Sequence, residues 1–369
     1  MDTSRSTGSL RVALVSPPML PVPPPTYAGT ERVVAALGDA LMRAGHEVTL
    51  FAPGDSTFEG EVVPTIDNSL WRSGYDGDVS AYMQLSVAKA WKEHARFDII
   101  HAHAEIHGFP FARYCPTPVV TTLHGRLDAW GLPELLEEFR DIPLVAISDS
   151  QRRWNPHANW VATIHHGLSL EHMPFGPEPG EYLAFVGRVT PEKGVDQAIE
   201  LARSADLTLR MAAKVHDAHE HQHFDEVVQP AVEDGTVEFL GELGPLERDP
   251  LYAGARATIM LGAWPEPFGL VAIESLATGT PVIARRAGAL TETIEHGVDG
   301  FLVDDITEAR LALERVHELD RARIRKRAIE RFSPDRMADD YLRVYRSILD
   351  ERARNVSPPP DLITAASRS

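Results

Sequence analysis

Ala263-Trp264-Pro265-Glu266-Pro267-Phe268-Gly269-Leu270-Val271-Ala272-Ile273-Glu274 is the stretch on which the reading of this chain turns. Pro265 and Pro267 bracket Glu266, and a residue that precedes proline is pushed out of the helical region. Glu266 is therefore expected on a stiff loop, with a helix opening near Gly269. Glu274 then falls about one and a half turns into that helix, between apolar neighbours. A carboxylate in such company costs several kcal/mol unless something hydrogen-bonds it. Two readings follow. Either Glu266 caps a helix and Glu274 pairs with a basic core residue, or both acids accept hydrogen bonds from the hydroxyls of a sugar or a ribose.

The spacing and flanks of this stretch resemble the E-x7-E motif of the retaining glycosyltransferases of family GT4, which opens on Glu-Pro-Phe-Gly. Leu276-Ala277-Thr278-Gly279-Thr280-Pro281-Val282-Ile283-Ala284 continues the likeness. The resemblance implies that Glu266 faces the transferred sugar and Glu274 binds the nucleotide ribose. It also assigns Phe268, Gly269 and Leu270 to the donor.

Upstream, Tyr182–Val186 reads as a strand ending in Gly187-Arg188-Val189-Thr190-Pro191-Glu192-Lys193-Gly194. Thr190 has the chemistry of an N-cap and Pro191 that of a first helical residue, which puts Lys193 in a first helical turn. Two cations at the positive end of a helix dipole are poorly placed for stability and well placed to clamp a diphosphate. The pattern resembles the diphosphate-binding Arg and Lys of the same family. Leu243 and Arg248 match family positions near the base or the phosphates.

In the first half, Leu10–Ser16 reads as a buried strand. The proline-rich Pro17–Pro25 that follows can be neither helix nor central strand, and Ala28-Gly29-Thr30-Glu31 opens a helix with Thr30 as its expected N-cap. Strand, glycine loop and helix together offer backbone N–H groups to an anion. This loop resembles the family's Gly-Gly-x-Glu loop, with Ala28 in place of the first glycine and Gly29 keeping the phosphate role. Glu31 is read as a favourable charge in a first helical turn. A Rossmann G-x-G-x-x-G is absent, so nicotinamide binding is not indicated.

Strands and helices then alternate: Glu47–Ala52, Val79–Ala95, Phe97–His101, Pro118–Leu123, Pro133–Arg140 and Pro143–Ile147 in the first half, then Leu207–Ala213, Val237–Leu240 and Thr258–Leu261. Alternation of this kind implies parallel sheets covered by helices, with ligands beyond the carboxyl ends of the strands. His101 and His103 stand at one such end, read as structural or acceptor-lining groups in preference to a metal site. His124 stands at another, and the resemblance matches it to the histidine beside the donor sugar. The histidine run His216, His219, His221 and His223 is read as an exposed polar face.

With 54 Asp+Glu against 36 Lys+Arg, the net charge of −18 argues against nucleic acid. Up to Phe175 thirteen basic residues face twenty acidic ones, which also disfavours an anionic membrane surface. No apolar run approaches the roughly 18 residues of a membrane span. Met1–Ser9 lacks the apolar core of a secretory signal, so a cytoplasmic protein is expected. Cys115, alone of its kind, excludes an intrachain disulfide.

These readings combine into an α/β chain of the GT-B class, two Rossmann-like doubly wound domains facing across a cleft. The first domain is expected over 1–175 and the second over 180–333. A closing helix over 334–350 should cross back, and 352–369 should be a disordered tail. The resemblance implies retaining, metal-independent transfer of a hexose from a nucleotide-diphosphate sugar, UDP-glucose being the first guess, to an acceptor hydroxyl. No cofactor is expected. A nucleotide-sugar epimerase and a non-catalytic sugar-nucleotide-binding protein are the alternatives.

Overall fold

Short β-branched runs punctuated by glycine, proline and capping residues build two parallel sheets, joined by helices that cover both faces of each. The computed structural model describes residues 8–25 and 28–356. The first sheet holds β1 (Arg11–Val15), β2 (Glu47–Ala52), β3 (Glu61–Pro64), β4 (Ile99–Ala102), β5 (Val119–Thr122), β6 (Leu144–Ala146) and β7 (Trp160–Thr163), in the order β3-β2-β1-β4-β5-β6-β7. The second holds β8 (Tyr182–Arg188), β9 (Thr208–Lys214), β10 (Val237–Gly241), β11 (Ala257–Met260), β12 (Val282–Arg285) and β13 (Gly300–Val303), in the order β10-β9-β8-β11-β12-β13. All the strand pairs within these sheets are parallel, as the alternation implies. In both sheets the strand order reverses beside the first strand, and such a switch point opens a crevice beyond the carboxyl ends. Those crevices lie after β1 and β4 in one sheet and after β8 and β11 in the other.

The helix Leu270–Ala277 is buried at all eight positions, six of them apolar and spread round its circumference, with Glu274 and Ser275 the polar exceptions. Its Leu270, Val271, Ile273 and Leu276 share one core with Leu37 and Leu41 of the first helix, Thr30–Arg43. The two sheets therefore meet through a continuous apolar core. The closing helix, Pro334–Val356, adds Tyr341 and Tyr345 to that core. Its Arg336 donates from Nη1 and Nη2 to the carbonyls of His165 and His166, at 2.8 and 2.9 Å.

Two expectations need correction. The closing helix runs to Val356, so 352–356 are helical; no proline or glycine interrupts the chain there. The remainder of the expected tail, 357–369, lies outside the described residues, as does Tyr27 of the proline-rich loop. Thr30 is not the cap but the first helical residue, behind Gly29. β3 and β7 escape the sequence reading because each is a four-residue edge strand without full burial, and β3 ends on proline.

Among the described residues no helix is long and apolar enough to cross a membrane.

Candidate active site

Glu266 is carried past the end of β11 by the loop that precedes Leu270–Ala277. Its backbone carbonyl accepts from Ala289 N–H at 2.8 Å, and the carbonyl of Pro267 accepts from Ser148 Oγ, a first-domain hydroxyl, at 2.7 Å. Gly269 then turns the chain into the helix with φ +91, and a side chain there would meet Leu290. The stiff loop and the helix start at Gly269 agree with expectation. Phe268 is 3% exposed and packs edge-on against His166, 4.8 Å between ring centres.

Lys193 reaches the same place from β8. It forms an ion pair with Glu266, and its ammonium lies 5.4 Å from the ring centre of Trp264. The expected helical turn is absent: Pro191–Lys193 is a single 3-10 turn and the α-helix begins at Val195. Gly194 breaks it with φ +75, where a side chain would strike the backbone of Gly262. Thr190 makes no capping hydrogen bond. Lys193 consequently lies ahead of the helix N-terminus. Arg188, at the end of β8, donates to Glu220 Oε1 at 2.5 Å and to Asp217 Oδ2 at 3.3 Å.

Two cavities adjoin along Val186, Gly187 and Arg188. The smaller, of 130 Å³, is lined by Lys193, Trp264, Glu266, Gly269 and Leu270. The larger, of 570 Å³, lies between the domains and is lined by Gly29, Glu31, Leu243 and Arg248. The N-terminus of the first helix faces that of Leu270–Ala277, since a Cβ on Gly29 would sit 3.8 Å from Leu270 Cδ1. Glu31 is 5% exposed, and burial pushes its carboxyl up to about 7, with its own backbone N–H pulling it down. That is a different setting from the solvated first-turn charge expected.

Glu274 does not line either cavity. It is fully buried, with Oε1 2.5 Å from Arg32 Nη1 and 3.1 Å from Arg248 Nη2, while Oε2 accepts from Tyr252 at 3.2 Å. Of the two readings of this residue, the pairing with basic core residues is the arrangement observed. Arg248, next to the large cavity, is oriented by it.

His124 ends up in a set of histidines that local patterning could not assemble. His103 Nδ1 is 2.9 Å from His124 Nε2, and the His166 ring stacks on His124 at 5.1 Å. His101, one pleat away, contacts Tyr345 and Thr122, each at 2.7 Å. Burial lowers the pKa of His124 to about 3 and drives those of His101, His103 and His166 well down. A neutral imidazole can hydrogen-bond a hydroxyl, but so weak a base is unsuited to deprotonate one at neutral pH. Glu105, with φ +49, accepts from His124 N–H at 2.9 Å. Burial lifts its carboxyl to about 7 against the pull of the His124 and Gly125 N–H groups. Among the described residues no group of three or more His, Cys, Asp or Glu is arranged to hold a metal. His216, His219 and His221 are exposed, as read; His223 departs from that reading, its side chain 11% exposed and its Nε2 3.1 Å from Asp196 Oδ1.

Glu105, His166, Glu220 and Trp264 were not singled out from the sequence. Each meets its site partner from a different segment of the chain, except Trp264, whose place two residues before Glu266 was a local signal.

The model of the family "Glycosyltransferase Family 4" matches residues 27–183, and that of "Glycosyl transferases group 1" matches residues 174–331. The chain belongs to the glycosyltransferases. A glycogen synthase of Mycobacterium tuberculosis is 26% identical over 75% of this chain and 79% of its own length. Among solved structures, the avilamycin A biosynthesis glycosyltransferase AviGT4 superposes with a TM-score of 0.69 at 25% identity, covering 93% of this chain and 98% of that one. The Anabaena protein Alr3699/HepE, solved in complex with UDP and glucose, gives 0.71 at 19% identity, over 92% of this chain and 100% of its own. The two facing Rossmann-like sheets of this glycosyltransferase are the expected GT-B architecture.

Proposed function

We propose that this glycosyltransferase moves a hexose from a nucleotide-diphosphate sugar to a hydroxyl of a small-molecule or saccharide acceptor, with retention at the anomeric carbon and no metal. The observation that carries the reading is Lys193 against Glu266 in one cavity, with Arg188 on the wall it shares with the next. A cation for a phosphate and a carboxylate for sugar hydroxyls are thereby held side by side. The Anabaena neighbour's UDP and glucose make UDP-glucose the donor to try first. The reaction is expected in the cytoplasm.

In this reading the sugar occupies the smaller cavity, the diphosphate lies along Arg188 and Lys193, and the nucleoside enters the larger cavity. As the anomeric C–O bond breaks, negative charge builds on the diphosphate. Arg188, Lys193 and the N–H groups near Gly29, Gly269 and Leu270 stabilise it electrostatically, the part a divalent cation would otherwise play. The acceptor oxygen bonds to the anomeric carbon from the face the leaving group departs. Its proton passes to the departing phosphate oxygen, so no protein base is required. Glu266 exchanges Lys193 for the sugar hydroxyls, and neutral His124 contacts the sugar from the first domain. Glu274 reaches a ribose only if Arg32 withdraws; otherwise it acts through Arg248.

The deciding experiment incubates the protein with UDP-, GDP- and ADP-hexoses, with and without a panel of acceptors, and follows donor and product by NMR. Transfer with an α-linkage from an α-donor supports the reading. A β-linked product removes the retaining assignment. An altered free sugar nucleotide without acceptor points to an epimerase, and binding without turnover to a non-catalytic protein.

A further inference from the structure

The larger cavity has two unlike walls. Its second-domain side is a floor of small apolar groups, Ala212 and Ala213 at the end of β9 with Leu243 after β10, flanked by the cations Arg188, Lys214 and Arg248. The first-domain side brings the aromatic rings of Trp71 and Tyr75. Trp71 is 50% exposed. Lys214 Nζ, from the second-domain wall, lies 5.5 Å from its ring centre.

The turn that carries this ring is held in place. Leu70 N–H and Trp71 N–H donate to the carbonyls of Pro18 and Met19, both at 3.1 Å, and Tyr75 N–H donates to Leu70 at 3.0 Å. Ser69 Oγ donates to Asp55 Oδ2 at 2.8 Å. Arg72, the neighbouring cation, is turned to Asp55 at 3.4 Å. A half-exposed indole held by its turn and a floor of small apolar groups line the same cavity, which leaves room for a flat ring between them, and the cations beside the floor suit the phosphates attached to it.

We propose that this slot takes the nucleobase of the donor, with Trp71 stacking on one face from the first domain and the Ala212-Ala213 floor covering the other. The inference rests on the nucleotide-sugar donor proposed above and adds to the donor site a residue from the opposite domain. Every base has a π-face, so stacking adds affinity for any nucleotide without choosing among them. It also couples donor binding to closure of the cleft, because the base touches both walls.

Calorimetric titration of UDP, ADP, GDP and pyrophosphate into the full chain and its Trp71→Ala and Trp71→Phe variants tests this. The tightest-binding nucleotide should lose about tenfold in affinity with alanine and about threefold or less with phenylalanine. Pyrophosphate, which has no base, should bind all three proteins equally, which also reports an intact fold. Unchanged nucleotide affinity in Trp71→Ala overturns the proposal, and a raised acceptor KM in that case gives the turn to the acceptor. Equal loss for nucleotide and pyrophosphate overturns it too, since the turn then only places the phosphate cations. A wild-type chain that binds pyrophosphate but no nucleotide defeats the proposed donor as well as Trp71.

Discussion

Arg32 Nη1 lies 2.5 Å from Glu274 Oε1, joining the first helix of one domain to the buried helix behind Glu266 in the other. Arg248 shares the same oxygen at 3.1 Å. Removing one partner of a buried pair strands the other, and the damage depends on what charge remains. Arg32→Met leaves Glu274 with Arg248 and Tyr252, so a loss of about 1–2 kcal/mol is expected. Glu274→Ala leaves Arg248, 2% exposed, without its main partner, and about 3–5 kcal/mol should go. Urea denaturation of both variants checks the order, and a larger loss from Arg32→Met would show that the pair between the domains carries the stability.

Lys193 and Glu266 are each expected to be indispensable in the proposed reaction. Lys193→Met and Glu266→Gln should each lower kcat/KM by about 10²–10³, the loss typical of one stabilising group at a developing charge. Steady-state donor consumption with a productive acceptor measures this. Rates within tenfold of wild type for both variants would move the chemistry elsewhere.

Stability should fall on acidification. His101, His103, His124 and His166 have depressed pKa values. Their stabilisation is complete above about 6.5, the unfolded value, and is lost progressively as pH falls below it. Glu31 and Glu105 are raised to about 7, so they act in the opposite sense between 7 and 4.5. Four protons taken up by the unfolded chain against two by the native one leave a net of about two between pH 6.5 and 4.5. Denaturation at a series of pH values should show that slope, and a flat profile would contradict the burial of the histidines.

Glu31 offers a cleaner case. A buried carboxyl raised from 4.5 to about 7 contributes stability that is present at low pH and lost as pH rises through 7. Glu31→Gln should therefore match wild type near pH 4 and exceed it by about 3 kcal/mol at pH 8. Equal stability of the two proteins at both pH values would count against a protonated Glu31.

Treatment with EDTA should leave the proposed transfer unchanged, because Arg188 and Lys193 supply the charge that a divalent ion otherwise brings. Donor turnover before and after chelation reads this directly. A tenfold fall restored by Mg²⁺ or Mn²⁺ would put a metal into the mechanism.

Local rules made much of this protein legible before any fold was known. Proline on both sides of Glu266 predicts its loop, Gly269 predicts the helix start, and short apolar β-branched runs predict most of the strands. Where a neighbour further along overrides a local signal, the prediction slips. Gly194 has to approach Gly262 and so stops the helix in which Lys193 was expected. The edge strands Glu61–Pro64 and Trp160–Thr163 lack the burial that writes a pattern.

Sequence alone thus settled the alternating α/β plan and the two parallel sheets, because short apolar runs and the geometry of glycine and proline act over a few residues. Tertiary structure alone decided the partners: Glu274 with Arg32, Arg188 with Glu220, His124 with His103 and His166. Those groups meet because the strand order reverses and one helix N-terminus is brought against another, and a contact made by folding distant segments together leaves no local spacing to read.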